Sequence, residues 1–166
     1  IVFHMDNKTN TVYLCSEHIF SNPMDLKKRT DDRPVKDFSI MSSLRFARML
    51  VNISGTKPGE TILDPFCGIG TILGEAMAIG CNGIGVEIEK SRVIDARQNL
   101  KWYKEKYYPD LPLSFKIFEG DSTRLSQVID KKQFAEINNV VTEPELGPLL
   151  RGTPTDAEAK HSKSIL

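Results

Sequence analysis

Long apolar runs are missing from this sequence. No stretch approaches the roughly 20 residues that a membrane span needs, and no signal-peptide pattern is visible. Cysteine is scarce: the three that occur, Cys15, Cys67 and Cys81, have no C-x-x-C spacing. An odd, sparse set argues against a disulfide scaffold and for free thiols in a reducing compartment, which points to the cytoplasm. Histidine is as rare, and His4, His18 and His161 are too scattered for a metal site, so none is expected. Net charge is absent, with 22 basic and 22 acidic residues. There is therefore no global pull toward nucleic acid, and RNA binding would need a local patch or a separate module. Internal repeats and low-complexity tracts are absent too. What remains is a hydrophobic share of 40% in 166 residues, enough for the core of about one domain.

Residues 1–15 alternate apolar and polar on either side of "DNKTN", with Val2, Met5, Val12 and Leu14 flanking an Asp/Asn-rich turn, which predicts a hairpin. Residues 21–37 are polar, carry two prolines and read as a linker. The basic residues Lys27, Lys28, Arg29, Arg33 and Lys36 could touch phosphate there, though Asp31 and Asp32 dilute the patch and a solvated linker is the simpler reading. Residues 41–53 show helical spacing at Leu44, Ala47 and Val51, with Ser42 or Ser43 as cap and Gly55 as stop. Then come "TILD", a buried strand, and "GIGTILGEAMAIG", a glycine loop becoming a helix. "GIGVEIE" is a second strand. "KSRVIDARQNLKWY" is a helix with Val93, Ala96, Leu100 and Tyr103 on one face. "LSFKIFEGD" is a third strand and "EINNVVTEP" a fourth. Each strand closes on a polar residue. This order predicts an α/β, doubly wound, mainly parallel sheet whose ligand crevice lies beyond the carboxyl ends of the strands.

The acids fall at those ends. In "LDPFCGIGT" Asp64 closes the first strand, and Gly68 and Gly70 let backbone approach a ligand before a helix N-terminus. Glu87 ends the second strand, where an acid can take both hydroxyls of a ribose. Asp121 follows the third, where it could read an adenine edge. The loop is not G-x-G-x-x-G, since Gly74 comes one place late. An acid ahead of the glycines suits a cationic amine better than a pyrophosphate, so the set fits S-adenosylmethionine better than a dinucleotide. Simpler readings stand beside these. Asp64 could cap the following helix. Glu87 could be a surface acid beside Lys90, and Asp121 an Asx turn opening a helix. Cys67 reads as a small loop residue, and Trp102 and Tyr103 as packing.

"RPVKDFSIMSSLRFARMLVNIS", "ILDPFCGIGTILGEA" and "GVEIE" together resemble the THUMP-associated class I RNA methyltransferases, closest to the tRNA (guanine-10-N2) methyltransferases, over about residues 20–150. The resemblance implies a Rossmann-like class I methyltransferase fold with S-adenosyl-L-methionine as cofactor. It implies cofactor binding at Asp64, Phe66, Gly68, Gly70, Glu87 and Asp121, with the helix at 41–52 helping to close the site. It also implies methyl transfer to the exocyclic N2 amine of a guanosine in tRNA, the tRNA being held through a THUMP domain that this sequence lacks. Residues 1–37 would be the hairpin and linker that follow such a domain, and 38–166 a partial methyltransferase domain. The family's fold has seven strands, four of which are accounted for. With "IVFHM" at one end and "HSKSIL" at the other, a segment cut from a longer protein is expected.

"TEPELG" departs from the family's Asp-Pro-Pro-Tyr-Gly at the end of strand four. Glu143 keeps a carboxylate, one methylene longer, and Pro144 and Gly147 keep the turn; these three are the expected catalytic positions. Leu146 lacks the stacking aromatic, and Glu145 adds a negative charge, expected to point toward solvent or Arg151. Two alternatives follow: a non-catalytic methyltransferase-fold module that binds RNA or a partner, and a DNA adenine-amino methyltransferase.

Overall fold

The computed structural model describes residues 2–6, 8–9, 11–15, 23–37 and 43–144. The chain divides into two compact units, 1–32 and 33–166. In the first, strand β1 (Val2–Asp6) pairs antiparallel with β2 (Thr11–Cys15), His4 lying opposite Tyr13, so the hairpin is present. Helix α1 (Pro23–Asp31) follows, and the stretch read as a polar linker therefore contains regular structure. Its prolines mislead. Pro23 takes the first helical position, where a missing N–H costs nothing, and Pro34 lies beyond the helix end. Arg29 is buried at 4% exposure and pairs with Asp25 one turn earlier, so it is not displayed to phosphate.

The second unit begins at Arg33, ahead of the boundary expected at residue 38. Helix α2 (Leu44–Ile53) starts where Ser43 accepts the Phe46 N–H through its hydroxyl, an N-cap, and ends near Gly55, whose φ is +69°. Strand β3 (Thr61–Asp64), helix α3 (Thr71–Ala78), strand β4 (Asn82–Glu87), helix α4 (Lys90–Tyr107) and strand β5 (Phe115–Glu119) alternate. A 3-10 turn (Ser122–Arg124) and two short helices, α5 (Leu125–Val128) and α6 (Lys131–Ala135), lead to strand β6 (Asn139–Val140).

The sheet order is β5-β4-β3-β6, all parallel. Side chains alternate across it. Ile62 faces a core built from α2, α3 and α4, including Val51, Leu73, Met77, Ala96 and Tyr103. Leu63, Ile84 and Val86 face a second cluster with Ile129, Leu125 and Val128. Both faces are thus covered, as a doubly wound sheet requires. The chain runs from β3 outward to β4 and β5, then returns to the other side of β3. The strand order therefore reverses between β3 and β6, and such a switch point is where open α/β sheets form their ligand crevice.

Candidate active site

Four strand ends converge at this crevice. Asp64, the last residue of β3, is 1% exposed. Its Oδ1 accepts the Phe66 N–H at 3.2 Å and the Thr142 hydroxyl at 2.7 Å. It does not cap α3, whose N-cap, Gly70, has no side-chain cap bond. Burial drives the Asp64 carboxyl up from 3.8 to about 7. The bonds from Thr142 and Phe66 oppose the shift, while the charges of Glu87 and Glu143 add to it. Thr142 therefore ties the exit of β6 to the exit of β3 across the switch point.

Glu87 ends β4 and is 6% exposed, so it is no surface acid. Its Oε2 accepts the Gly68 N–H at 3.0 Å and its Oε1 the Glu89 N–H at 2.9 Å. A carboxylate offers about four acceptor positions, so two remain for a ligand's hydroxyls after these bonds. Gly68 and Gly70 have φ of +51° and +82°, values that side-chain-bearing residues rarely adopt. A Cβ at Gly68 would meet no atom within 4 Å; the loop leaves open space on that side. Phe66, at 45% exposure, stands beside it on the surface. Cys67 is buried, and burial, with the charges of Asp64 and Glu87, pushes its thiol far up, so it stays protonated and inert.

Asp121 forms the Asx turn considered as the simpler reading. Its Oδ1 accepts both the Thr123 N–H (2.9 Å) and the Thr123 hydroxyl (2.7 Å). The Thr123 hydroxyl and N–H together hold its carboxyl below the ordinary range. It nevertheless lies next to Glu87, because the Gly120 N–H donates to the Glu87 carbonyl at 2.9 Å. Glu143 is half-buried and Pro144 exposed at the end of β6. Gly147, with Glu145, Leu146 and Arg151, lies outside the described residues. Trp102 and Tyr103 pack edge to face at 5.1 Å between ring centroids, with Tyr103 fully buried, so they form core and not a stacking platform. Two clefts, of about 260 and 440 Å³, lie away from these strand ends. One sits at the start of β3 and β4 beside Glu136, the other between α4 and β5.

Three features are invisible to strand-end reasoning. Thr142 looks like an ordinary strand residue. Arg33, counted among the basic residues of a linker, is 2% exposed and reaches Thr71 and Tyr103, so it is unavailable to phosphate. Asn99 is fully buried and accepts the Val35 N–H while donating to the Ile69 carbonyl. A signal existed for Asn99: it shares the apolar face of Ala96, Leu100 and Tyr103, and a polar residue there needs partners.

A parallel sheet with a glycine loop after its first strand, an acid closing the second, and a tied turn at the switch point defines a class I methyltransferase-type nucleotide fold. The model of the RMKL-like methyltransferase domain matches residues 33–142, and the chain belongs to that family. S-adenosylmethionine is the methyl donor such a domain is built for. The tRNA (guanine(10)-N2)-dimethyltransferase of Methanothermobacter thermautotrophicus is 36% identical over 105 residues, covering 63% of this chain and 27% of that protein. The enzyme of the same description from Pyrococcus abyssi is 33% identical over 123 residues, covering 73% of this chain and 33% of its own length. The chain thus spans about a third or less of these two relatives. Among solved structures, a possible methylase from Clostridium difficile 630 superposes with a TM-score of 0.58 at 18% identity, covering 83% of this chain and 41% of that one. This likeness concerns the fold alone.

Proposed function

We propose that the whole protein transfers a methyl group from S-adenosylmethionine to the exocyclic N2 amine of a guanosine in tRNA, and that the unit beginning at Arg33 forms part of its catalytic domain. One observation supports the reading above the others: the crevice at the switch point brings Asp64, Gly68, Glu87 and Glu143 to one place. The curated relatives named for guanine-N2 methylation supply the choice of base. The hairpin and α1 precede that domain in a protein that takes its tRNA through a THUMP domain and works in the cytoplasm.

The residues fit the cofactor. Gly68 leaves open space for it, Glu87 keeps acceptor positions for ribose hydroxyls, and Asp64 gives a buried acid for the ammonium group. Phe66 and Gly70 line the same loop, and Asp121 keeps one carboxylate oxygen beyond its turn for the adenine. The cofactor supplies a methyl group on a positively charged sulfur. The protein must hold the amine, whose lone pair is delocalised into the guanine ring, in line with that methyl. Glu143 accepts one N–H and the Pro144 carbonyl the other, which localises electron density on nitrogen and fixes its approach. Gly147 completes the set of catalytic positions proposed from the sequence.

Methylation of a guanosine-containing tRNA by the full-length protein and its Glu143→Gln variant tests this. The variant should lose far more activity than cofactor affinity, since it alters the transition state and not the cofactor loop. A full-length protein that binds cofactor and methylates no RNA would establish the second reading, a non-catalytic module, which the loss of the aromatic at Leu146 favours.

A further inference from the structure

A fully buried cation beside a helix N-terminus is an unfavourable arrangement, because the helix dipole is positive there and a desolvated charge is costly. Arg33 occupies such a place. Its Nη1 donates to the hydroxyl of Thr71, the first residue of α3, at 3.0 Å, and its Nη2 to the Tyr103 hydroxyl at 2.8 Å. Its guanidinium also stands 5.4 Å from the centre of the Tyr103 ring. Two residues on, the Val35 N–H donates to Asn99 Oδ1 at 3.0 Å, and Asn99 Nδ2 donates to the Val35 carbonyl at 3.3 Å and the Ile69 carbonyl at 3.0 Å. Arg33 therefore holds the first residue of α3 directly, and Val35 reaches the glycine loop through Asn99, which holds the Ile69 carbonyl. On the opposite side the Gly68 N–H is held by Glu87. Within the loop the Gly70 N–H donates to the Cys67 carbonyl at 2.8 Å, so the peptide between Ile69 and Gly70 is fixed at both its C=O and its N–H.

We propose that Asn99 and Arg33 are positioning residues for the cofactor loop, and that the extended segment 33–35 is a latch whose docking sets the loop in its ligand-receiving conformation. This rests on the reading of Gly68–Gly70 as that loop. Glycines at positive φ are easily reoriented, since without a Cβ the alternative backbone states cost little. A loop built from them holds one shape only if its peptide groups are tied. Glu87 ties the peptide before Gly68, and Asn99 ties the peptide between Ile69 and Gly70. Because its amide also holds Val35, undocking of the latch removes Arg33 and Val35 together and takes from Asn99 the backbone partner that orients its amide toward the Ile69 carbonyl. The chain that enters the methyltransferase unit is thereby coupled to the affinity for S-adenosylmethionine.

The test titrates S-adenosylhomocysteine calorimetrically into the full chain and into its Asn99→Asp and Arg33→Met variants, with amide hydrogen exchange of residues 67–71 followed in the same samples. Asn99→Asp keeps the acceptor for Val35 but turns the Ile69 contact into acceptor against acceptor. Arg33→Met keeps an unbranched apolar stem and removes the guanidinium donors. Each variant should raise Kd about tenfold, the loss of roughly one buried hydrogen bond. Each should also speed exchange in the loop while exchange in β4 stays at the parent rate. Parent-like Kd and loop exchange in folded variants, whatever their melting temperatures, would reduce both residues to packing and overturn the proposal. If Asn99→Asp does not fold, Tyr103→Phe, which deletes only the hydroxyl that receives Arg33, carries the test through a smaller loss of about threefold. If the parent itself binds no S-adenosylhomocysteine, the cofactor reading fails, and loop exchange alone decides whether the latch sets the loop.

Discussion

Asp64 is buried beside two further acids, Glu87 and Glu143, and its carboxyl is pushed up to about 7. A buried carboxyl whose folded value lies above its ordinary 3.8 stabilises the fold fully when both states are protonated, and that contribution is lost as pH rises through about 7. The unliganded protein should therefore lose thermal stability between about pH 4 and 7 through this group, and Asp64→Asn should flatten that part of the profile. A ligand ammonium group reverses the preference, because it favours the charged carboxylate. S-adenosylmethionine should then bind with release of a proton below pH 7 and with an affinity that climbs toward pH 7 and levels off above it. Calorimetry in buffers of different ionisation heat reads this directly. An affinity flat from pH 5.5 to 8 would place the ammonium group away from Asp64.

At the scale of the element, β4 shows how close packing shapes the site. Its Ile84 and Val86 face one cluster, whereas Gly83 and Gly85 turn to the other side and let α3 lie against the sheet. A Cβ at Gly85 would stand 2.7 Å from Ile117 Cδ1, 2.8 Å from Cys67 Sγ and 2.9 Å from Leu73 Cδ1. Three core side chains would have to move at once, so Gly85→Ala should cost about 1–3 kcal/mol in chemical denaturation and displace Cys67, the neighbour of Gly68 in the glycine loop. The strands, the glycine loop and the burial of Val93, Ala96, Leu100 and Tyr103 were legible because hydrophobic spacing and strand-end acids are local signals. Helix α1 was not, since Pro23 marks a break and a helix start alike. The bonds Thr142–Asp64, Arg33–Tyr103 and Val35–Asn99 were hidden for another reason: each joins residues far apart in sequence, and only the sheet order brings Thr142 to Asp64, as only the docking of residues 33–35 on α4 brings Val35 to Asn99. Asp121 shows a sequence signal with two meanings, for the Asx turn forms whether or not an adenine is bound.

At the scale of the molecule, the described sheet ends at β6, whose outer edge is unpaired among the described residues. Val140 and Phe134 near it are 59% and 50% exposed. A strand edge with apolar neighbours is a template for pairing with another chain. The chain taken by itself should associate as its concentration rises, visible in sedimentation and in binding of an apolar dye. A sharp melt of a strict monomer with no dye binding would count against this. The central claim is that the crevice between β3 and β6 holds S-adenosylmethionine, and calorimetric titration of the cofactor into the protein and into its Glu87→Ala variant tests it most directly. The account predicts saturable binding of one molecule per chain, weakened by roughly 1–3 kcal/mol in the variant through loss of charged hydrogen bonds. Absence of binding, or an affinity that Glu87→Ala leaves unchanged, would contradict it.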